Sequence, residues 1–318
     1  MGFAQARELL PYLRDLGVSH LYLPPSFQAR AGSTHGYDVV DPTRFSEALG
    51  GESEFEALAS AARDLGLGLI LDVVPNHMAT DDDNPYWADP ELRAQYFDID
   101  ERTGRHRRFF DVDHLAAVRQ EDPEVFAETH KLVLRLAREG VVDGLRVDHP
   151  DGLADPAGYL ARLHDGGAAN VWVEKILDPG EPLRDWPVQG TVGYEFLNDV
   201  AALFVDPAGE ASLTDLWVEL SGDDRPFGEV AFEAKLEQVR GPFAVEAERL
   251  RGDACAGAAA GARRRGRRAA DRPPGRARRS GRVPRAAAGR GRRARLGGED
   301  PRPGRAPARL AGRGHGRL

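Results

Sequence analysis

Residues 1–250 predict an α/β fold, a parallel sheet with crossover helices, on three observations. Apolar strand-like runs alternate with amphipathic helix-like runs. The helix-like runs carry start and stop signals, an Asp-Pro or Ser before and a Gly after. The strongest apolar runs end in charged or polar side chains, as strands of a parallel β/α domain do where they face an active site.

Taken in order, residues 3–16 read as a helix stopped by Gly17. Val18 to Leu23 reads as a strand closed by Pro24 and Pro25. Ser53 and Glu56 have the spacing of a capping box before a helix that runs to Leu65, with Gly66 as its stop. Leu67 to Val74 is a nearly continuous apolar strand. The stretch from Ala79 to Arg119 is too long for a simple connection and reads as an inserted lobe. Asp122-Pro123 opens a helix that Gly140 closes, and a strand follows near 143–148. Asp155-Pro156 opens another helix. Strands are expected near 171–177 and 191–196.

The net charge of −8 joins two unlike segments. Residues 251–318 hold 21 arginines against four acids, and no Phe, Trp, Tyr or Ile. Such a segment cannot bury enough apolar surface to offset its ordering entropy, so it is expected to be disordered. Two origins fit it: a basic nucleic-acid-binding arm, or a GC-rich gene read out of frame near codon 250. The lack of stacking aromatics weighs against the first. The remaining 250 residues are strongly acidic. A single cysteine, Cys255, excludes an intrachain disulfide. There is no secretory pattern near Met1 and no run of 18 apolar residues, so a cytoplasmic protein with no membrane span is expected.

Asp148 and Glu174 end two strands that are one strand–helix–strand unit apart. Facing carboxylates of this kind suit glycosyl transfer, one attacking the anomeric carbon and the other protonating the leaving oxygen. Arg146 lies on the same strand face as Asp148 and would hold it ionised and aimed. A purely structural Arg146–Asp148 ion pair fits the spacing equally well.

Three segments in order resemble the conserved regions of the α-amylase superfamily: Asp72-Val-Val-Pro-Asn-His77, Gly144-Leu-Arg-Val-Asp-His-Pro150 and Val173-Glu-Lys-Ile-Leu177. Further stretches are similar to the maltooligosyl trehalose synthase family within it. These are Gly32-Ser-Thr-His-Gly-Tyr-Asp-Val39, Tyr96-Phe-Asp-Ile-Asp100, Arg107-Arg-Phe-Phe-Asp111 and Gly190-Thr-Val-Gly-Tyr-Glu-Phe196. The likeness runs over residues 5–250. It implies a partial (β/α)8 TIM barrel, with strands resembling the second to sixth and an inserted lobe after the second strand present.

The resemblance also implies roles. Asp148 would be the nucleophile and Glu174 the general acid/base. Arg146 would orient Asp148. His77 and Tyr37 would line the reactive sugar, Tyr37 by stacking on it, and His149 would contact sugar hydroxyls. Asp72 and Asn76 would be structural near the site, Asp72 bonding loop groups. Tyr86, Trp87 and Trp186 read as packing residues before sugar platforms, and Asp81-Asp82-Asp83 as a solvated loop. No metal and no cofactor are expected.

The implied reaction is an isomerisation, a (1→4)-α-D-glucan 1-α-D-glucosylmutase acting on maltooligosaccharides or α-1,4-glucan. The family's first strand and its fourth region, with a third carboxylate, are not found in residues 1–250. An open barrel segment of this kind is expected to be unstable or poorly active. The rival expectations are an α-glucan hydrolase or glucanotransferase, a non-catalytic protein whose basic tail binds nucleic acid, and a product without function.

Overall fold

The computed structural model describes residues 1–252 and residue 254. The expected tail and Cys255 therefore lie outside the described residues, apart from the first few positions after 250. Along the chain run α1 (Phe3–Leu16), β1 (His20–Leu23), β2 (Phe27–Ala29), β3 (Val39–Phe45), α2 (Gly51–Asp64) and β4 (Gly68–Val73). The lobe follows as β5 (His77–Ala79), α3 (Pro85–Ala88), α4 (Pro90–Tyr96), β6 (Arg108–Phe109) and β7 (Val112–Ala117). Then come α5 (Pro123–Arg138), β8 (Gly144–Val147), α6 (Pro156–Asp165), β9 (Val171–Val173), β10 (Gly190–Thr191), α7 (Tyr194–Ala202), α8 (Glu210–Ser221) and α9 (Phe227–Arg240).

The main sheet is parallel, in the order β1-β4-β8-β9-β10, as expected of successive strands in a partial barrel. Alternation divides its residues between two faces. Leu21, Leu23, Leu69, Leu71, Val73, Leu145, Val147, Val171 and Val173 point outward and are buried. They share one core with Leu10, Phe55, Leu58, Val125, Leu132, Val133, Leu136, Leu160 and Leu163 of the covering helices. The inner face carries Tyr22, Ile70, Asp72, Arg146 and Trp172. Much of it is open, with Tyr22 48% exposed, and it bounds a cavity of 480 Å³. Two glycines let the inner face close up at its base. A Cβ on Gly68 would stand 2.3 Å from the His20 ring, and one on Gly144 would stand 2.6 Å from Trp172.

The helix signals mostly act as read. Gly17 caps α1 in the left-handed conformation. Asp122 accepts the Glu124 and Val125 N–H groups at the start of α5, and Asp155 accepts that of Gly158 at the start of α6. The expected capping box at Ser53 and Glu56 is absent. The chain leaves a 3-10 turn through Gly50 and Gly51, both at positive φ, so α2 is already under way at Ser53. The expected strand 191–196 is two residues long. Thr191 accepts the Gly193 N–H at 3.2 Å and donates to Glu195, which starts α7 at Tyr194 instead.

The inserted lobe forms an antiparallel sheet, β5-β7-β6, with α3 and α4 beside it. Tyr86 and Trp186 are buried, and Trp87 packs against Phe97, so all three serve packing. Asp81 pairs with Arg30 at 2.9 Å. A β2-β3 hairpin that the sequence reading did not contain carries the loop around Tyr37. Among the described residues, α7, α8 and α9 bury none of their own. No helix among them is long and apolar enough to cross a membrane.

Candidate active site

The carboxyl ends of β4, β8 and β9 converge on one guanidinium. Arg146 Nη1 donates to Asp72 Oδ1 at 2.9 Å and to Asp148 Oδ1 at 2.6 Å, and Nη2 lies 3.3 Å from Glu174 Oε1. The ladder sets this up, because Asp72 is the registered partner of Arg146, and Asp148 continues the same face two residues on. The Arg146 and Asp148 side chains are 11% and 7% exposed and that of Asp72 is fully covered. Three acids around one buried cation make a charge-assisted cluster with planar donors. Sharing one guanidinium fork keeps the Asp148 and Glu174 carboxylates within roughly 8 Å of each other.

Burial raises the Asp148 pKa; Arg146 opposes this, and the nearby charges of Glu174 and Asp72 add to it. Asp72 is also raised by burial, against the hydrogen bonds of Tyr22, Arg146 and Tyr37. Both tyrosines donate to Asp72 Oδ2, Tyr37 at 2.8 Å. Burial and the Asp72 charge push the Tyr37 phenol up to about 12, and Tyr22 further. Asp72 thus binds the strand residues Tyr22 and Arg146 in addition to the loop residue Tyr37. The Tyr37 hydroxyl is tied to Asp72, and the Arg146 guanidinium lies 5.9 Å from its ring centroid.

On the other side, Glu174 Oε2 accepts the His149 backbone N–H at 3.1 Å, and Tyr194 donates to Oε1 at 3.3 Å. His149 sits at φ 42°, a left-handed conformation unusual outside glycine. Burial lowers its pKa. His77 is 1% exposed, and its ring stacks on Phe109 at 4.0 Å. That covers one face of the ring, and its buried Nε2 has no hydrogen-bond partner among the described residues. Asn76 stands 3.4 Å from His77 Nδ1. A Cβ on Gly152 would fall 2.2 Å from Asn76 Oδ1 and 2.6 Å from the His149 ring. Gly152→Ala should therefore displace both side chains and lower stability by about 1–3 kcal/mol in urea unfolding. A neutral result would mean that the turn after His149 is free to move.

Tyr22, Tyr194 and the pair Phe109 and Phe110 are site neighbours that the sequence reading did not single out. Phe109, Phe110 and Tyr194 lie inside stretches quoted for the family likeness. Tyr22 carried a usable signal, an inward position on β1 in line with Ile70.

Residues 6–86 match the family profile described as alpha amylase, catalytic domain. A putative maltooligosyl trehalose synthase of Mycobacterium tuberculosis is 38% identical, over 82% of this chain and 43% of its own length. The solved maltooligosyltrehalose synthase of Arthrobacter ramosus superposes with a TM-score of 0.74 at 35% identity, over 79% of this chain and 43% of that one.

The chain belongs to the α-amylase superfamily.

Within the superfamily it is homologous to maltooligosyl trehalose synthases and spans less than half the length of these relatives. A 4-alpha-glucanotransferase of Thermotoga maritima is 31% identical over 54% of the chain. The fold is thus the superfamily's parallel α/β barrel in part, with the lobe inserted after the second strand present.

Proposed function

We propose that this chain carries the nucleophile and acid/base of a maltooligosyl trehalose synthase site. The observation that supports this most directly is the single guanidinium of Arg146 held between Asp148 and Glu174 at the ends of adjacent strands. In this reading Asp148 attacks the anomeric carbon next to the reducing-end glucose. The C–O bond breaks as Glu174 gives its proton to the leaving oxygen. The released glucose then offers its anomeric hydroxyl, Glu174 takes that proton, and the oxygen displaces Asp148. An α-1,4 bond becomes α-1,1 with no atom lost, so the activity is an isomerisation, a (1→4)-α-D-glucan 1-α-D-glucosylmutase.

Arg146 favours the ionised form of Asp148, against burial and the nearby Glu174 and Asp72 charges. Tyr22 and Tyr37 fix Asp72 and wall the same side. His149 and His77 offer polar edges to sugar hydroxyls, and Asn76 braces the turn beneath them. The substrate is a maltooligosaccharide or α-1,4-glucan, no cofactor takes part, and the setting is cytoplasmic. The test is incubation of the purified chain with maltopentaose. Reducing ends should disappear without free glucose, and Asp148→Asn should abolish the change. Rising reducing ends would replace the reading with hydrolysis, and longer and shorter glucans would replace it with 4-α-glucan transfer, the second reading that the Thermotoga relative favours. No conversion would remove the activity from this chain.

A further inference from the structure

Glu174 takes one of its hydrogen bonds from a strained piece of backbone. The His149 N–H reaches Glu174 Oε2 at 3.1 Å while His149 sits at φ 42°, a conformation that residues with a side chain rarely adopt. Strain of this kind persists only where the surroundings over-determine it. The next residues form a 3-10 turn, Pro150–Gly152, and the Gly152 N–H donates back to the His149 carbonyl at 3.1 Å. Holding that turn therefore holds His149.

Two cations grip the turn. Lys175, next to Glu174, meets the Asp151 carboxylate at 3.0 Å. Gly152 has no side chain to grip and no room for one, since a Cβ there would fall 2.2 Å from Asn76 Oδ1. Its handle is the carbonyl, which accepts from Arg107 Nη1 at 3.0 Å. Arg107 belongs to the inserted lobe and is itself fixed. Its N–H donates to the Asp98 carbonyl at 2.8 Å, its carbonyl accepts the Ala117 N–H at 2.8 Å, and its Nε donates to Asp98 Oδ2 at 2.9 Å. Asp98 does not need Arg107 as a counter-ion, because Arg249 also reaches it, at 2.9 Å. The second arginine on one carboxylate is accounted for by its other end, at Gly152.

We propose that Arg107 is a positioning residue: from the lobe it braces the turn after the nucleophile, keeps His149 in its strained form and so aims the Glu174 carboxylate. The aiming role rests on the glycosyl-transfer reading above, whereas the brace is a contact that can be measured by itself.

The experiment compares the full chain with Arg107→Met, Arg107→Lys and Arg105→Met. Arg105 is the control, an exposed lobe arginine without an ion pair among the described residues, so its loss changes the charge equally and leaves the turn alone. Hydrogen exchange of the His149 amide is followed by NMR, with the Leu145 amide, bonded to the Asn170 carbonyl within the sheet, as reference. Arg107→Met should speed exchange at His149 roughly tenfold or more, the worth of one charge-assisted hydrogen bond, and leave Leu145 unchanged. Arg107→Lys should recover part of the protection, and Arg105→Met should match the wild type. Equal protection at His149 in Arg107→Met and wild type, or a wild-type His149 amide with no protection, overturns the brace. Equal losses at His149 and Leu145 overturn it too, since Arg107 would then be a general packing residue. Conversion of maltopentaose is measured beside exchange, and in Arg107→Met kcat should fall roughly tenfold at unchanged KM. A kcat that stays at the wild-type value while His149 loses protection overturns the aiming role. A wild-type chain with a protected His149 amide and no conversion overturns the glycosyl-transfer reading, and the aiming role with it, and leaves the brace standing.

Discussion

Arg146→Met is expected to destabilise the chain by about 3–5 kcal/mol at pH 8, the usual cost of leaving buried acids without their cation. Asp72 and Asp148 have side chains 0% and 7% exposed and share this one guanidinium. Methionine fills the space of the stem but supplies no charge, so the two carboxylates must take up protons or draw in water. The loss should therefore shrink at pH 5, where protonation relieves them. Urea unfolding at the two pH values checks both parts. A loss below about 1 kcal/mol at pH 8, or one that does not diminish at pH 5, would contradict the role given to Arg146. Arg146→Lys should fall between, since one ammonium cannot bridge three carboxylates as a planar fork does.

Acid should unfold the protein through two histidines that the site does not need as charges. His130 is buried between Phe126 and Tyr159; its Nδ1–H donates to the Phe126 carbonyl at 3.1 Å, and its Nε2 accepts the Tyr159 hydroxyl at 2.8 Å. That leaves no place for a second proton, and burial takes its pKa down to about 3. Burial, with the nearby His149, takes His77 down to about 4. In the unfolded chain both titrate near pH 6.5. Above that value the two states carry equal protons; below it the unfolded chain binds more, so stability falls as pH drops from 6.5 toward 4 and, for His130, toward 3. The full loss is roughly 3–5 kcal/mol for each histidine. Asp148 and Asp72 act in the opposite sense: with pKa values raised in the fold, they remove stability as pH rises from about 4 through their native values. The histidine share is isolated by His130→Gln, which cannot titrate. Its stability should decline between pH 6.5 and 4 by roughly 3 kcal/mol less than that of the wild type. Parallel curves would show that His130 is not held neutral.

Much of this was legible in the sequence, for local reasons. Asp122-Pro123 and Asp155-Pro156 carry their own caps, and Gly17 its own left-handed stop, so those helix ends need no tertiary information. The strand runs of β4 and β8 are apolar outward and end in Asp72, Arg146 and Asp148, so the sheet and the charged cluster could be read together. The failures were non-local. The β2-β3 hairpin closes through an irregular register that no periodicity announces. The start of α2 is decided by two glycines at positive φ, which override the Ser53 and Glu56 spacing. Tyr22 joins the site only because β1 lies beside β4, and Phe110 only because the lobe folds back to His149.

β1, β4 and β8 each present leucine or valine to the helices and a tyrosine, aspartate or arginine to the open side. Sliding β8 by one residue against β4 would turn Arg146 into the oily layer and Leu145 toward water. A misaligned ladder would spoil the interior and the chemistry in the same event, so a chain of this kind that packs properly has, for that reason alone, assembled its carboxylates.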